Sequence, residues 1–278
     1  MIISIASGKG GTGKTMVATS FALSLSDREI TFLDCDVEEP NSAIFLKPVI
    51  EKEIVVNKMI PRINDEKCNL CGVCEKVCAY NAIAVVNKVL IFPDLCHGCG
   101  ACSMLCPENA INEVGVKMGT MREGIKKNMR FIEGRLKINE PMATPLIRRV
   151  KNAEKKGLVI IDSPPGTSCP VMKSVKNSDY VILVTEATPF GLSDLEMAFS
   201  TFKELGLRMG VIINKSRGKN KATEEFCEKK GLEVLMKIPL DRKIAESYSR
   251  GVPLVEIMPE YANRFREVYS KIESEAQR

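Results

Sequence analysis

The sequence predicts an α/β protein with a mostly parallel sheet covered by helices on both faces, and with a cysteine-rich insertion in the chain. Two observations predict this arrangement. Short apolar runs alternate with segments of helical spacing along most of the 278 residues, which is typical of parallel strands joined by crossover helices. Eight of the eleven cysteines lie between Cys68 and Cys106, in one block that interrupts the alternation.

The composition is that of a soluble globular protein. The apolar fraction of 45% and the charged fraction of 27% are ordinary for that class. No run of about 18 apolar residues is present, so we expect no membrane span. The start MIISIASGKGG lacks the basic segment and cleavage site of a signal peptide, so we expect a cytoplasmic protein. Disulfides are rare in that compartment, where clustered cysteines usually bind metal.

The alternation starts at the first residue. Residues 1–6 predict a buried strand, residues 13–25 have helical spacing, and residues 30–33 predict a second strand. Further strands are predicted at 158–161, 180–184, 209–213 and 234–238, and further helices at 192–205, 222–230 and 242–248. Open sheets of this class bind ligands at the carboxyl ends of their strands, so we expect the chemistry in the loops there.

The cysteine block predicts a separate, compact unit. Its two halves repeat after about 28 residues, from Cys68 to Cys96, and each half has a cysteine loop followed by a short apolar segment. No linker rich in Pro, Gly or Ser separates the block from the rest of the chain. The sequence therefore predicts an insertion at residues 61–115, rigidly joined to a discontinuous domain formed by residues 1–60 and 116–278.

The cysteine spacing indicates the kind of site. Both runs place two, two and three residues between successive cysteines, and Pro107 follows the second run. Disulfide frameworks do not repeat such a spacing, and zinc sites rarely use three cysteines at successive short steps. The pattern is that of a bacterial ferredoxin, an α+β unit with two [4Fe–4S] clusters in which the fourth cysteine of each run binds the other cluster. One cluster would use Cys68, Cys71, Cys74 and Cys106, and the other Cys96, Cys99, Cys102 and Cys78.

A phosphate-binding loop lies between the first strand and the first helix. Its residues satisfy G-x4-G-K-[ST] and let backbone N–H groups surround phosphates at a helix start. We expect Lys14 to contact the β- and γ-phosphates of ATP or ADP, and Thr15 to bind Mg²⁺. The expected nucleotide contacts of the loop are Gly8, Gly10, Gly11, Thr12, Gly13, Lys14, Thr15 and Met16. The motif supplies no strong independent base, so we expect slow ATP hydrolysis by the isolated protein.

The loop and four later segments resemble one family. KGGTGKT, with its early lysine, resembles the deviant phosphate loop of the MinD/ParA class, which includes the Mrp-type iron–sulfur carriers. LDCDVEEPN resembles the switch I segment of that class, LVIIDSPPGTS its switch II, VIINKS its base-recognition segment and IPLDRKIAES its late loop. The resemblance implies a P-loop NTPase fold of the SIMIBI type. The combination is similar to MinD-superfamily ATPases with an inserted ferredoxin domain.

The resemblance also implies roles for single residues. In that class the early lysine, here Lys9, reaches the nucleotide of the other subunit, which implies a homodimer or a heterodimer with a paralogue. Asp36 would orient the attacking water, so the implied catalytic residues are Lys9, Lys14 and Asp36. The remaining implied contacts are Asp162 near Mg²⁺, and Asn214, Pro239 and Asp241 near the base.

Three functional hypotheses follow. The protein is either an ATP-gated electron carrier that serves a redox partner, an ATP-dependent carrier of clusters to an iron–sulfur apo-protein, or a positioning ATPase on DNA or a membrane. The third rests on residues 117–156, with twelve Lys or Arg against four Glu, and on an amphipathic pattern from Tyr261 to Ile272. A solvated basic face and a closing helix explain both features more simply, so we do not expect DNA binding.

Overall fold

A computed structural model describes residues 1–218 and 220–276 of the chain. Its strands are β1 (Ile2–Ala6), β2 (Ile30–Asp34), β3 (Val49–Ile63), β4 (Ile83–Val85), β5 (Val89–Ile91), β6 (Ile111–Lys126), β7 (Met129–Leu136), β8 (Leu158–Asp162), β9 (Tyr180–Glu186), β10 (Met209–Ser216) and β11 (Glu233–Pro239). Its helices are α1 (Lys14–Ser24), α2 (Ser42–Leu46), α3 (Val73–Lys76), α4 (Ala101–Met104), α5 (Thr144–Lys151), α6 (Cys169–Val175), α7 (Pro189–Glu204), α8 (Lys221–Lys230), α9 (Arg242–Ser249), α10 (Leu254–Ile257) and α11 (Glu260–Ala276).

Nine strands form one sheet in the order β11-β10-β9-β1-β8-β2-β7-β6-β3. The seven neighbours from β11 to β7 run parallel, which confirms the mostly parallel α/β sheet. Strand β6 is antiparallel to both β7 and β3, and β3 forms the edge of the sheet. The short strands β4 and β5 pair separately.

Helices cover both faces of the sheet, because its central strands are apolar on both sides. One face packs on α1 and α11, and the other on α5, α6 and α7. Phe265 and Ile272 of α11 are buried in this core, where each contributes about 1.5–3 kcal/mol of hydrophobic stabilisation. The amphipathic tail pattern therefore belongs to a closing helix. No helix in the described part of the chain is long and apolar enough to cross a membrane.

The basic stretch from 117 to 156 forms β6, β7 and α5, elements that the sequence did not predict. Many of its charges are paired within the fold. The buried carboxylate of Glu133 accepts hydrogen bonds from the Nε atoms of Arg122 and Arg135, both at 2.6 Å. Arg130 contacts Glu123 and Glu154 at 2.8 and 3.3 Å. Three of its arginines are therefore engaged by carboxylates of the same stretch.

The cysteine block lies at the end of a two-stranded extension of the sheet. Strands β3 and β6 pair from Val49 opposite Ile125 to Ile63 opposite Ile111, and the cysteine-bearing segment connects their ends. The expected boundaries at 60/61 and 115/116 fall inside these two strands. The division of the chain into two domains thus remains a prediction, and its two parts share a continuous pair of strands.

Candidate functional site

The phosphate loop joins β1 to α1 and faces a cavity of about 380 Å³. Gly13 has a φ of 90°, a left-handed conformation that disfavours residues with a Cβ. A Cβ at this position would also collide with the side-chain amide of Asn214. Glycine is therefore required here by both the backbone conformation and the packing.

Residues of β10 hold the loop from one side. The Asn214 amide nitrogen donates to the Thr12 carbonyl oxygen at 2.7 Å. The ammonium of Lys215 donates to the Gly11 carbonyl oxygen at 2.7 Å and to the carboxylate of Glu186 at 2.6 Å. The amide of Asn214 thus supports the loop and also lines the cavity, where the sequence predicts that it contacts the base.

Three carboxylates lie at the carboxyl ends of β2 and β8. Asp34 and Asp162 are fully buried, and burial, followed by the charge of Asp162, raises the pKa of Asp34 well above its usual value. Burial also raises the pKa of Asp162, although the Lys14 charge and a hydrogen bond from Thr15 oppose the effect. Burial, with a smaller contribution from Asp162, raises the pKa of Asp36 to about 7. Carboxylates this crowded are stabilised in their charged form by a bound cation.

The residues of the phosphate loop and of the adjoining ends of β2 and β8 fit Mg²⁺ and a phosphate chain. Within the described residues, the buried atoms Thr12 Oγ1, Asp162 Oδ1 and Ser163 Oγ have no hydrogen-bond partner. Buried polar atoms are rarely left unpaired, so these three atoms indicate a place for a polar ligand. The hydroxyl of Ser42 donates to Asp162 Oδ2 at 3.1 Å, and its N–H donates to Asp34 Oδ2 at 3.1 Å. Ser42 therefore links the start of α2 to both buried carboxylates.

The opposite wall of the cavity comes from the loop after β11 and from α9. Pro239 and Asp241 line it together with Tyr248. The carboxylate of Asp241 also caps α9 by accepting from the Lys243 N–H at 2.7 Å. The Tyr248 ring stacks on Phe45 of α2, with ring centroids 4.7 Å apart. The wall formed by α9 therefore contacts α2, the helix that follows the segment resembling switch I.

Lys9 lies outside the cavity in the single chain. Its ammonium is 3.9 Å from the carboxylates of both Glu186 and Asp194, and its side chain is one-third exposed. Gly8 packs against the backbone of Asp194, a residue of α7, so this helix lies close to the phosphate loop. The expected reach of Lys9 to another subunit remains a prediction, and in this arrangement its charge is balanced within its own chain.

The eight cysteines of the block line two cavities. One is lined by Cys68, Cys71, Cys74 and Cys106. The other is lined by Cys78, Cys96, Cys99 and Cys102. Within the described residues, no group of three or more His, Cys, Asp or Glu side chains is arranged to hold a metal ion. The cavities nevertheless bring the cysteines together in the same two sets that the crossed ferredoxin pattern predicts.

The two halves of the block share their backbone conformation as well as their spacing. Asn81 and Asn109, which are 28 residues apart, have φ values of 52° and 49°. In each case the next residue donates its N–H to a cysteine, Ala82 to Cys78 Sγ at 3.3 Å and Ala110 to Cys106 Sγ at 3.4 Å. Hydrogen bonds to sulfur of this kind tune clusters held by thiolates. The donor set is therefore chemically suitable for iron–sulfur clusters.

The fold brings most of the expected nucleotide residues to one cavity. Those that line it are Gly10, Gly11, Gly13, Lys14, Thr15, Met16, Asp36, Asn214, Pro239 and Asp241. Gly8, Lys9, Thr12 and Asp162 are not among the residues that line it. The sequence reasoning missed Ser42, Tyr248 and Lys215. Of these, only Lys215 carried a local signal, since it directly follows Asn214 in the resembled base-recognition segment.

Known proteins resemble this chain in sequence and in fold. A sequence from Methanocaldococcus jannaschii described as an uncharacterized protein is 33% identical over 277 residues, covering 98% of this chain and 96% of its own. The iron–sulfur cluster carrier protein of Pyrococcus horikoshii is 25% identical, covering 91% of this chain and 78% of its own. The structure of the septum site-determining protein MinD with Mg-ADP, also from Pyrococcus horikoshii, superposes with a TM-score of 0.60 at 21% identity, covering 99% of this chain and 96% of its own.

The family match covers the same elements that build the cavity. Residues 3–254 match the CobQ/CobB/MinD/ParA nucleotide binding domain, a span that runs from β1 to the start of α10. The likeness to the MinD structure establishes the fold, and the family match establishes the class of nucleotide chemistry. The chain therefore belongs to the CobQ/CobB/MinD/ParA family of nucleotide-binding domains and is a P-loop ATPase.

Proposed function

We propose that this ATPase is an iron–sulfur protein that couples its nucleotide state to electron transfer through two [4Fe–4S] clusters. The observation that carries the proposal is the sorting of eight cysteines into two cavities of four, each with one cysteine from the other run. This crossing ties the two halves of the block together, as the ferredoxin pattern requires. Residues 61–115 would then act as an inserted ferredoxin-like domain.

Within the nucleotide cavity, each residue has a proposed task. Lys14 would bind the β- and γ-phosphates, and Thr15 with Asp162 would hold Mg²⁺, whose charge favours ionised carboxylates around it. Asp36 would orient the attacking water once that cation is bound. The hydrolysis of ATP by the isolated chain would be slow and Mg²⁺-dependent.

A dimer would complete the site. The ammonium of Lys9, now 3.9 Å from Glu186 and Asp194, is partly exposed and lies near the mouth of the loop. Exchange of these partners for the nucleotide of a second subunit would supply positive charge where the transferred phosphoryl group develops negative charge. The second subunit would be another copy of the chain or a paralogue.

The clusters would supply one-electron transfer, and the eight cysteines would hold them. Cys71 and Cys99 are exposed, so one ligand of each cavity would lie at the surface. A redox partner could therefore approach both cavities. The proposed function is that of an ATP-gated electron carrier, with the partner protein as donor or acceptor.

A test begins with protein purified without oxygen. About eight irons and about eight sulfides per chain are expected, with a spectrum typical of [4Fe–4S] clusters. The midpoint potentials are then measured with Mg-ADP and with a non-hydrolysable ATP analogue. An iron content near four, or bound zinc, would exclude two clusters, and identical potentials in both nucleotides would exclude the coupling.

A second candidate function is ATP-dependent cluster delivery. It is favoured by the name of the Pyrococcus horikoshii relative, an iron–sulfur cluster carrier protein. Four cysteines in each cavity favour permanent clusters instead, because a carrier must release its cargo. Rapid transfer of iron and sulfide to an apo-protein, together with loss of iron to a chelator, would favour the carrier. Redox cycling without loss of iron would favour the electron carrier.

A further inference from the structure

A buried ion pair joins β3, the strand that leads into the cysteine block, to the segment that follows β7. Lys58 lies in β3, and Glu140 lies in the segment between β7 and α5. The ammonium and a carboxylate oxygen are 2.9 Å apart, and the side chains are only 6% and 7% exposed. Buried pairs of this kind are weak evidence for stability, and their best-attested use is to specify one arrangement of the segments that carry them. Lys52, on the same strand, is exposed.

The segment that carries Glu140 is tied to switch I. Leu136, at the end of β7, donates its N–H to the carbonyl oxygen of Val37 at 2.8 Å, and Val37 directly follows Asp36. A Cβ on Gly134 would be only 2.6 Å from the Val37 side chain, so the packing at this point is close. The N–H of Glu140 donates to the Lys137 carbonyl at 3.0 Å. Val37 is therefore hydrogen-bonded to Leu136, which directly precedes the turn that holds Glu140.

On the other side, Lys58 adjoins the second cysteine loop. The next residue, Met59, has its carbonyl oxygen 2.8 Å from the position that a Cβ on Gly98 would take. Gly98 lies between Cys96 and Cys99, and its N–H donates to Cys96 Sγ at 3.4 Å. Its φ of 63° is the left-handed conformation that glycine permits. A shift of Met59 would therefore press on the backbone that supports these cysteines.

We propose that Lys58 and Glu140 form a positioning pair that transmits the nucleotide-dependent state of switch I to the loop from Cys96 to Cys102. This inference rests on the proposed function in two respects, namely that the nucleotide changes switch I and that the loop holds a cluster. The pair would keep the turn after β7 and the strand β3 moving together. The contacts described above do not include the first cysteine loop, from Cys68 to Cys74, so its conformation would change less with the nucleotide.

The test measures hydrogen–deuterium exchange of the full-length protein purified without oxygen. It compares Mg-ADP with Mg²⁺ and a non-hydrolysable ATP analogue. In the wild type, exchange in residues 96–102 should differ at least about threefold between the two states, with a smaller difference in residues 68–74. In the double variant Lys58→Met/Glu140→Leu, which leaves no unpaired buried charge, the difference in 96–102 should disappear. The difference in residues 34–46 and the affinity for nucleotide should stay as in the wild type.

Two further variants make the test specific. Lys52→Met removes an exposed lysine from the same strand and should retain the wild-type response. The exchanged pair Lys58→Glu/Glu140→Lys restores opposite charges and should recover much of the response, which a mere packing defect would not do. Equal exchange of residues 96–102 in both nucleotides in the wild type would overturn the proposal, as would an undiminished response in the double variant.

The iron content separates this inference from the proposed function. A protein without iron whose loop still responds to nucleotide through the pair would refute the cluster assignment and support the positioning role. A protein with both clusters whose loop ignores nucleotide would refute the positioning role alone. In the loaded protein, the double variant should also lose any difference in midpoint potential between the two nucleotide states.

Discussion

Replacing Asp36 by Asn should stabilise the nucleotide-free protein at pH 8 while it impairs hydrolysis. Burial and the nearby charge of Asp162 raise the pKa of the Asp36 carboxyl from 3.8 to about 7. The folded chain therefore binds more protons at this group than the unfolded chain does between about pH 4 and pH 7. In that window the wild type loses stability as the pH rises, and above pH 7 the full cost of the charge is present.

The magnitude follows from the difference in pKa. A difference of about 3 corresponds to about 4 kcal/mol, at about 1.4 kcal/mol for each pKa unit. The half-buried side chain keeps some contact with solvent, which screens its charge, so we expect a gain of about 1–3 kcal/mol at pH 8. Near pH 4 the folded wild type carries a protonated, uncharged Asp36, as the Asn variant does, so the gain should fall close to zero.

Urea unfolding at several pH values, with a chelator and without nucleotide, measures this gain. Glu38→Gln is the matched control, because it removes an exposed carboxylate two residues away and should change the free energy of unfolding by less than about 0.5 kcal/mol. A gain that does not vary with pH, or a loss of stability at pH 8, would refute the electrostatic argument. Undiminished ATP turnover in Asp36→Asn would separately remove Asp36 from its proposed catalytic role.

Three further predictions concern the loop, the cysteines and the dimer. Lys14→Ala should weaken ATP binding at least about 100-fold in calorimetry, because it removes the buried ammonium proposed to bind the phosphates; retained affinity would contradict this role. Cys78→Ser should remove the spectroscopic signal of the cluster held with Cys96, Cys99 and Cys102, since all four line one cavity; loss of the other signal would contradict the crossing. Lys9→Ala should bind ATP but hydrolyse it slowly, and mixing with Lys14→Ala should recover some turnover; heterodimers without any turnover would place the action of Lys9 within its own subunit.

The parallel part of the fold could be predicted because its strands are buried on both faces. The run 158–161 is apolar throughout, and it forms the buried strand β8 between β1 and β2. The long strand β3 has no such signal. It lies at the edge of the sheet, and most of its residues are exposed, so charged side chains interrupt any alternation. Strands β6 and β7 were missed for a related reason, because glycines and paired charges replace apolar residues in both.

The candidate site was predictable where one short segment carries the whole signal. The phosphate loop and the two cysteine runs are examples, since their chemistry depends on spacing within about ten residues. The partners of Lys9 could not be predicted in the same way. Glu186 and Asp194 reach the loop only because β9 pairs with β1, and nothing in the sequence specifies that strand order. Contacts that depend on sheet order need the structure.

The strand order also determines how far the cysteine block lies from the segment that resembles switch I. The segment that resembles switch I follows β2, and β2 pairs with β7. The turn after β7 therefore lies beside this segment, although about 100 residues separate them. The two strands that flank the cysteine block come next in the sheet, where β6 pairs with β7 and β3 with β6. An insertion after β10 would have placed the cysteines at the opposite side of the sheet, four strands from switch I. At its actual place, the cysteine block would receive a change at Val37 through Glu140, Lys58 and Met59, as proposed above.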